Sequence, residues 1–308
     1  MLTFNALWTR LRSAALRTSE RPRPDLQVAR LGSLAEWQRR VPAELREQHL
    51  AEDRACVPPS GEAFALEGYC WPDAGWRRFQ VDFRYGGTTD GTRWPNWRER
   101  LVCPRCGLNN RQRAALHVFE EVLQPARDAR IYVTEQLSPV YAWLRARHPA
   151  AVGSEFLGDS VAAGASDRRG IRHEDVTQLS FADASFDFVL CFDVFEHVPD
   201  YRRAFAECAR VLGAGGQLLF SVPFAADSEP NLVRATRAGD GTVTHLHPAE
   251  YHGDPVRPDR GVLCYQHFGW RTLDELRECG FRDAHALAFH SRDFGYMGGE
   301  SLLFVAAK

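Results

Sequence analysis

The chain has 308 residues, 44% of them hydrophobic and 25% charged, with a formal net charge of −2. That length accommodates one large domain plus a small one, and near-neutrality excludes a global basic field for nucleic acid. No apolar run approaches the ~18 residues of a membrane span. No secretory leader pattern opens the sequence. Eight cysteines in so long a chain point to reduced thiols in a cytoplasmic protein, some of them metal-bound, rather than to a disulfide scaffold.

Residues 1–52 read as an N-terminal helical segment. Leu2, Leu7, Trp8, Leu11 and Leu16 make an apolar stripe beside Arg10, Arg12 and Arg17. Such a stripe packs on the protein's own domain or on a second subunit, or else lies on an anionic membrane surface. Ser19–Leu26 reads as a linker with two prolines, and Leu34–Ala51 returns to a charged helical pattern.

Residues 53–116 form a small module of different composition, rich in cysteine and aromatic residues. Cys103-Pro-Arg-Cys106-Gly107 is a C-x-x-C-G knuckle, in which two thiolates share one zinc and the glycine frees backbone amides to face sulfur. Two further ligands are needed. Cys70 is one candidate, and Asp73 stands where a second C-x-x-C would place a cysteine, so Cys70, Asp73, Cys103 and Cys106 are the candidate metal set, with Cys56 as the alternative fourth ligand. The competing reading is four merely buried thiols. Asn96–Leu116 carries five arginines. These read either as an anion or RNA contact or as a solvated helix face.

From residue 117 the pattern alternates strand and helix. Arg130–Glu135 is the first strand. Ser138 caps the next helix with Pro139 at its first position. A second strand starts at Ala151–Gly153 and closes on Glu155. Ile171–Val176 is the third strand. The fourth, Phe186–Phe192, is nearly continuously apolar, as in a parallel sheet covered on both faces, and it stops at Asp193. Asp200 caps a helix whose Ala204, Phe205, Cys208, Val211 and Leu212 share one face, and Gly213, Gly215 and Gly216 end it. Gln217–Val222 is the fifth strand. Residues 225–270 are a long insertion, and such loops are usually functional. In it His252 is a candidate general base, although Tyr251–Pro255 equally suits a plain turn. His245 and His247 could be metal ligands, but two histidines are too few to assign a site. Trp270–Cys279 is a helix, and Ala284–Phe289 and Leu302–Ala306 make a closing antiparallel hairpin. The expected fold is α/β, Rossmann-like and doubly wound.

At Asp193, Glu196, His197 and Asp200, followed by the helix and its glycine stop, the chain resembles class I S-adenosylmethionine (SAM) dependent methyltransferases of the type 11 kind. The Asp175…Leu179-x-Phe181…Ser185-Phe186-Asp187 run resembles the same family. The resemblance implies a seven-stranded sheet with the terminal hairpin. It implies SAM as cofactor, with Glu135 and Asp193 lining the methionine end, Glu155 on the ribose hydroxyls, Asp175 on the adenine amino group and the Val176 amide on the ring. His252 is then the residue for acceptor chemistry and His197 a wall of the cofactor pocket. One departure is plain: Glu135-Gln136-Leu137-Ser138-Pro139 replaces the family's glycine loop.

Gly68-Tyr69-Cys70 with the Trp97–Arg113 segment resembles bacterial methyltransferases associated with surface-polysaccharide and other glycan loci, whose first half-site is a full C-x-x-C. That resemblance implies a zinc-ribbon-like module, a substrate lid at 225–270, and a small-molecule or glycan acceptor through a sugar hydroxyl. Rival readings are a scaffold that keeps the fold without the chemistry, an RNA methyltransferase guided by the cysteine module, and a nucleotide-sugar C-methyltransferase.

Overall fold

The structure, a computed structural model, describes residues 21–89, 91–257 and 259–308. The stripe at 1–18 and its membrane or subunit contact lie outside the described residues. Among the described residues no helix is long and apolar enough to cross a membrane.

The described chain runs β1 (Ala29–Leu31), α1 (Leu34–Arg40), α2 (Ala43–Ala55), β2 (Ala63–Cys70), β3 (Gly75–Asp82), β4 (Gly87–Thr89), β5 (Thr92–Trp94), α3 (Trp97–Arg100), β6 (Leu101–Val102) and α4 (Asn110–Val118). It continues through β7 (Ile131–Val133), α5 (Pro139–Arg147), β8 (Val152–Gly153), β9 (Phe186–Phe192), α6 (Tyr201–Val211) and β10 (Leu212–Ser221). The insertion holds β11 (Leu232–Val233), β12 (Ala235–Arg237), β13 (Val243–His245), β14 (Tyr251–His252), β15 (Val262–Leu263) and β16 (Gln266–His267). The last elements are α7 (Arg271–Glu278), β17 (Asp283–Ser291) and β18 (Tyr296–Ala307).

Seven strands form one mixed sheet in the order β1-β17-β18-β10-β9-β7-β8. The pairs β8–β7, β7–β9 and β9–β10 are parallel, whereas β18 runs antiparallel between β10 and β17. Side-chain alternation along β9 and β10 builds the two layers. Val189, Cys191, Leu218 and Phe220 face the core shared with α6 and α7, while Leu190, Phe192 and Leu219 face the core shared with α4 and α5. Helix starts follow their caps: Ser138 accepts from the Tyr141 amide with Pro139 next in line, and Asp200 accepts from the Arg203 amide.

The seventh strand is not the expected one. Ile171–Val176 makes only a single parallel bridge, Glu155 with His173, because the residues before it fold back along its other side. There the amides of Gly164 and His173 bond to the carbonyls of His173 and Ala165. The sheet reaches seven strands instead through β1, which pairs antiparallel to β17 with Ala29 opposite Ala288. Residues 21–52 therefore do not stand apart from the large domain.

The cysteine module is a three-stranded sheet, β2-β3-β6, beside the β4–β5 hairpin. Its core of Cys70, Phe79, Val81, Trp97, Leu101 and Cys103 includes Met297 from β18. Arg113 of α4 is fully buried beneath it. Its guanidinium lies 3.9 Å from the Phe79 ring centre and bonds the carbonyls of Leu101, Leu108, Phe294 and Gly295. Asp53 of α2, also buried, accepts from the Gly298 and Gly299 amides and from His290.

Candidate functional site

Three acids stand at the carboxyl ends of three adjacent parallel strands: Glu135 after β7, Glu155 after β8 and Asp193 after β9. That edge is where doubly wound sheets bind ligands. Glu155 is buried, and its Oε1 accepts from the Gln136 and Leu137 amides, both at 2.8 Å. The glycine-free turn after β7 is thus held from the neighbouring strand. Gly153 of β8 supplies the close approach, since a Cβ there would lie 2.8 Å from the Glu135 carbonyl oxygen and 2.6 Å from the Tyr141 ring. Burial lifts the Glu155 carboxyl above its ordinary range, and the two amide bonds oppose that lift.

Glu135 has a buried Oε1 without a hydrogen-bond partner among the described residues. Burial pushes its carboxyl up to about 7. A raised acid stabilises the fold fully below its unfolded value near 4.5, and that contribution is lost as pH rises through the folded value near 7. The free chain should therefore lose stability between about pH 4.5 and 7, and Glu135→Gln should flatten that slope. Urea melts across this range check it; an unchanged slope in the variant would refute the assignment.

Asp193 has φ +54°, a left-handed conformation that aspartate tolerates better than most residues and that turns the chain sharply off β9. Arg98 of α3 grips both its carboxylate oxygens at 2.5 and 2.7 Å, Arg111 of α4 approaches to 3.2 Å, and the Ser221 hydroxyl donates at 2.9 Å. Burial works against the Asp193 charge, but the two guanidiniums outweigh it and hold the carboxyl well below the usual range. Burial likewise opposes the charge on Arg111, and Asp193, Glu99 and Glu135 around it hold it protonated. The cysteine module thus delivers two cations to the edge of the large sheet. The arginine-rich segment was expected to be an anion or RNA contact, or a solvated face. Its members are instead internal ties: Arg98 and Arg111 to Asp193, Arg100 to Asp82, Arg105 to Asp73 and Arg113 to carbonyls.

Asp175 and Val176 follow the bridge at His173. The Asp175 carboxylate accepts from the Thr177 amide and hydroxyl, an Asx-type turn, and Val176 is buried.

His197 and His252, 55 positions apart in sequence (252 − 197), meet edge to face with ring centres 4.9 Å apart. His197 lies on the short turn after Asp193, and His252 comes from β14 of the insertion. The insertion clamps that turn: the Tyr265 amide bonds the Glu196 carbonyl, and the Gln266 side chain bonds the carbonyls of Phe195 and Val198. Within 3.7 Å of a nitrogen of each ring lies Oε1 of Glu196, a fully buried residue whose two carboxylate oxygens have no hydrogen-bond partner among the described residues. The carboxylates of Glu196 and Glu250 hold the His252 imidazole above its ordinary value against its burial. Burial pulls His197 down, more than Glu196 raises it. Sequence reasoning used Glu196 only as a motif position and gave Glu250 and His267 no role. An acid next to a histidine in a strand-end turn was the available signal.

Cys70, Cys103 and Cys106 gather with their sulfurs all within 4.8 Å, Cys70 and Cys106 being 3.6 Å apart. The neighbouring Cys106 and Cys70 sulfurs hold the Cys103 thiol well below its ordinary range. The expected fourth ligand is not with them: the Asp73 carboxylate is paired with Arg77 and Arg105. Cys56 instead donates to the Glu52 carbonyl. The donor set present is therefore three thiols.

Residues 141–220 match the model of the methyltransferase domain family. This segment is similar to that family's domain over about a quarter of the chain. It runs from within α5 to β10 and contains Glu155 and Asp193, while Glu135 lies six residues before it. Curated relatives agree over short stretches. The 27-O-demethylrifamycin SV methyltransferase of Amycolatopsis mediterranei is 33% identical over 93 residues, 29% of this chain and 34% of that protein. The ubiquinone biosynthesis O-methyltransferase of Hahella chejuensis is 45% identical over 51 residues, 16% of this chain and 21% of that one. The chain thus spans about a third or less of the length of these relatives. Among solved structures, the Burkholderia thailandensis 1,6-didemethyltoxoflavin-N1-methyltransferase, with 1,6-didemethyltoxoflavin and S-adenosylhomocysteine bound, is 16% identical over 64% of this chain and 77% of that one, with a TM-score of 0.37.

Proposed function

We propose that the chain is a SAM-dependent methyltransferase acting on an oxygen of a small-molecule or glycan acceptor, a sugar hydroxyl in the first instance. The observation that carries this reading is the placement of Glu135, Glu155 and Asp193 at three adjacent strand ends around a methyltransferase-family segment. The chemistry of the donors fits SAM. Glu155 keeps Oε2 for ribose hydroxyls while Oε1 holds the turn. Asp175 and the Val176 amide suit the adenine edge. Asp193 and Glu135 line the methionine end, where the unpartnered Glu135 oxygen suits its ammonium group. When bound, SAM supplies a methyl group on a sulfonium for in-line displacement, so the protein's task is alignment and removal of the acceptor's proton. Glu196, His197 and His252, under the β14–β15 hairpin, are the groups placed to act on that proton.

The three thiols of the cysteine module suit zinc, with the fourth position left to a non-protein ligand. The near-neutral chain and the internal pairing of its arginines weigh against RNA as acceptor. Titration calorimetry of the purified chain with SAM tests the central reading. Binding in the micromolar range is expected. No heat and no competition by S-adenosylhomocysteine would favour the scaffold reading that the missing glycine loop suggests.

A further inference from the structure

We propose that Glu196, His197 and His252 form a binding site for one divalent transition-metal ion of the zinc class, separate from the cysteine cluster. The His197 Nδ1 lies 2.8 Å from the Leu263 carbonyl oxygen, which only accepts, so Nδ1 carries the hydrogen and Nε2 is left with its lone pair. The His252 Nε2 lies 2.9 Å from Glu250 Oε1, so that nitrogen donates, and in the neutral imidazole Nδ1 keeps its lone pair. Both lone-pair nitrogens face the same oxygen. His197 Nε2 is 3.7 Å and His252 Nδ1 is 3.6 Å from Glu196 Oε1. These separations exceed a hydrogen bond, and no donor reaches either Glu196 oxygen among the described residues.

With His252 neutral, three electron-pair donors converge with no positive group between them among the described residues, and the carboxylate is fully buried. An unpaired buried carboxylate costs several kcal/mol, and a cation at the convergence point removes that cost. The spacing suits one: with bonds of about 2.0–2.1 Å and a tetrahedral angle, neighbouring donors lie about 3.4 Å apart.

The surroundings fit a metal centre as well. Each imidazole is oriented by an outer hydrogen bond, one to a carbonyl and one to a carboxylate, the pattern that fixes metal-binding histidines. Glu250 is itself held by His267 at 3.1 Å and Arg234 at 3.2 Å. Two imidazoles and one carboxylate, contributed by one strand-end turn and one insertion hairpin, leave coordination positions open, as in zinc sites that act on a bound oxygen. His252 is then a ligand and not a free base. The site's role toward the acceptor, and this part alone, rests on the methyl-transfer reading: an ion held by these residues would lower the pKa of a hydroxyl bound beside it, the proton would pass to water, and the oxygen would bond to the methyl carbon as the carbon–sulfur bond of SAM breaks and S-adenosylhomocysteine leaves.

The test is elemental analysis of zinc retained per chain after metal stripping, equilibration with micromolar Zn²⁺ and desalting. It is run on the natural chain and on Glu196→Gln, His252→Ala, Cys103→Ser and Glu196→Gln/Cys103→Ser. Loss of one zinc equivalent in Glu196→Gln and in His252→Ala is expected, both against the natural chain and, for the double variant, against Cys103→Ser. Glu250→Gln should weaken the same site by about tenfold. Far-UV circular dichroism and thermal melting confirm that the variants fold. Equal zinc in the natural chain and the folded Glu196→Gln chain would overturn the proposal, whatever the cysteine cluster does. SAM calorimetry on the same samples separates the two readings. SAM binding without the zinc difference fails this inference alone, and the zinc difference without SAM binding fails the methyl-transfer reading alone.

Discussion

Glu155→Ala is expected to weaken SAM binding by at least about 100-fold, the loss of two charge-assisted hydrogen bonds at roughly 1.5–3 kcal/mol each. The effect has two sources. The carboxylate would lose its contacts with the ribose hydroxyls. The Gln136 and Leu137 amides, now held by Oε1 at 2.8 Å, would also lose their acceptor, and the glycine-free turn would no longer be fixed. Glu155→Gln separates these sources, because an amide oxygen still accepts from the turn but the opposite side of the group now donates. An intermediate loss of about tenfold is expected for it. Calorimetry with SAM on both variants, with circular dichroism to confirm folding, checks the ranking. Unchanged affinity in Glu155→Ala would remove the residue from the cofactor site.

The second large effect concerns Arg113. Replacement by alanine should destabilise the chain by about 3–5 kcal/mol, the scale for removing one member of a buried, hydrogen-bonded charge network. Four carbonyls lose their donor, from Leu101 and Leu108 in the module and from Phe294 and Gly295 in the β17–β18 turn. The Phe79 ring loses the cation stacked on it at 3.9 Å. Because those carbonyls belong to both parts of the molecule, the loss should be seen in both. Tryptophan fluorescence, which includes Trp97 of the module, and far-UV circular dichroism should shift together to a lower melting temperature, by roughly 6–10 °C. A variant that melts within about 1 °C of the natural chain would refute the role, since that corresponds to less than about 0.5 kcal/mol.

Much of the large sheet was legible. The apolar run Phe186–Phe192, the Asp200 cap and the Ser138-Pro139 start are local signals, and each element formed where its signal stood. The third strand was misread because its residues satisfy only half of what a strand needs. They are extended, but their outer backbone groups bond to residues 164–167 rather than to a sheet. Strand β1 was invisible because Ala29-Arg30-Leu31 is too short to show a period of two, and its pairing is decided by β17 far along the chain.

At the site, the acids closing β7, β8 and β9 could be located because strand ends can be located. The partners of those acids could not be. Arg98 and Arg111 sit in a run whose composition suits a solvated face, and only the packing of α3 and α4 on the sheet edge brings them to Asp193. Asp73 shows the reverse: its spacing from Cys70 mimics a ligand pair, while Arg77 and Arg105 capture its carboxylate. Spacing reports which groups are neighbours along a strand or turn, and not which of them a distant cation claims.

The pairing of β1 with β17 also bears on how the protein is made. Ala29 finds its partner at Ala288, so an early-synthesised strand waits while more than 250 residues of both the module and the large sheet emerge from the ribosome. At about 5–20 residues per second, that wait lasts on the order of 10–50 seconds. During it, the edge later covered by β1 cannot exist, because β17 itself has not been made. Residues 29–31 must remain unpaired or be shielded by other means until then, and the sheet cannot close before β17 and β18 have been made. Such a sequence-distant closure makes this a slow-folding topology and a chain whose nascent form depends on protection of residues 29–31.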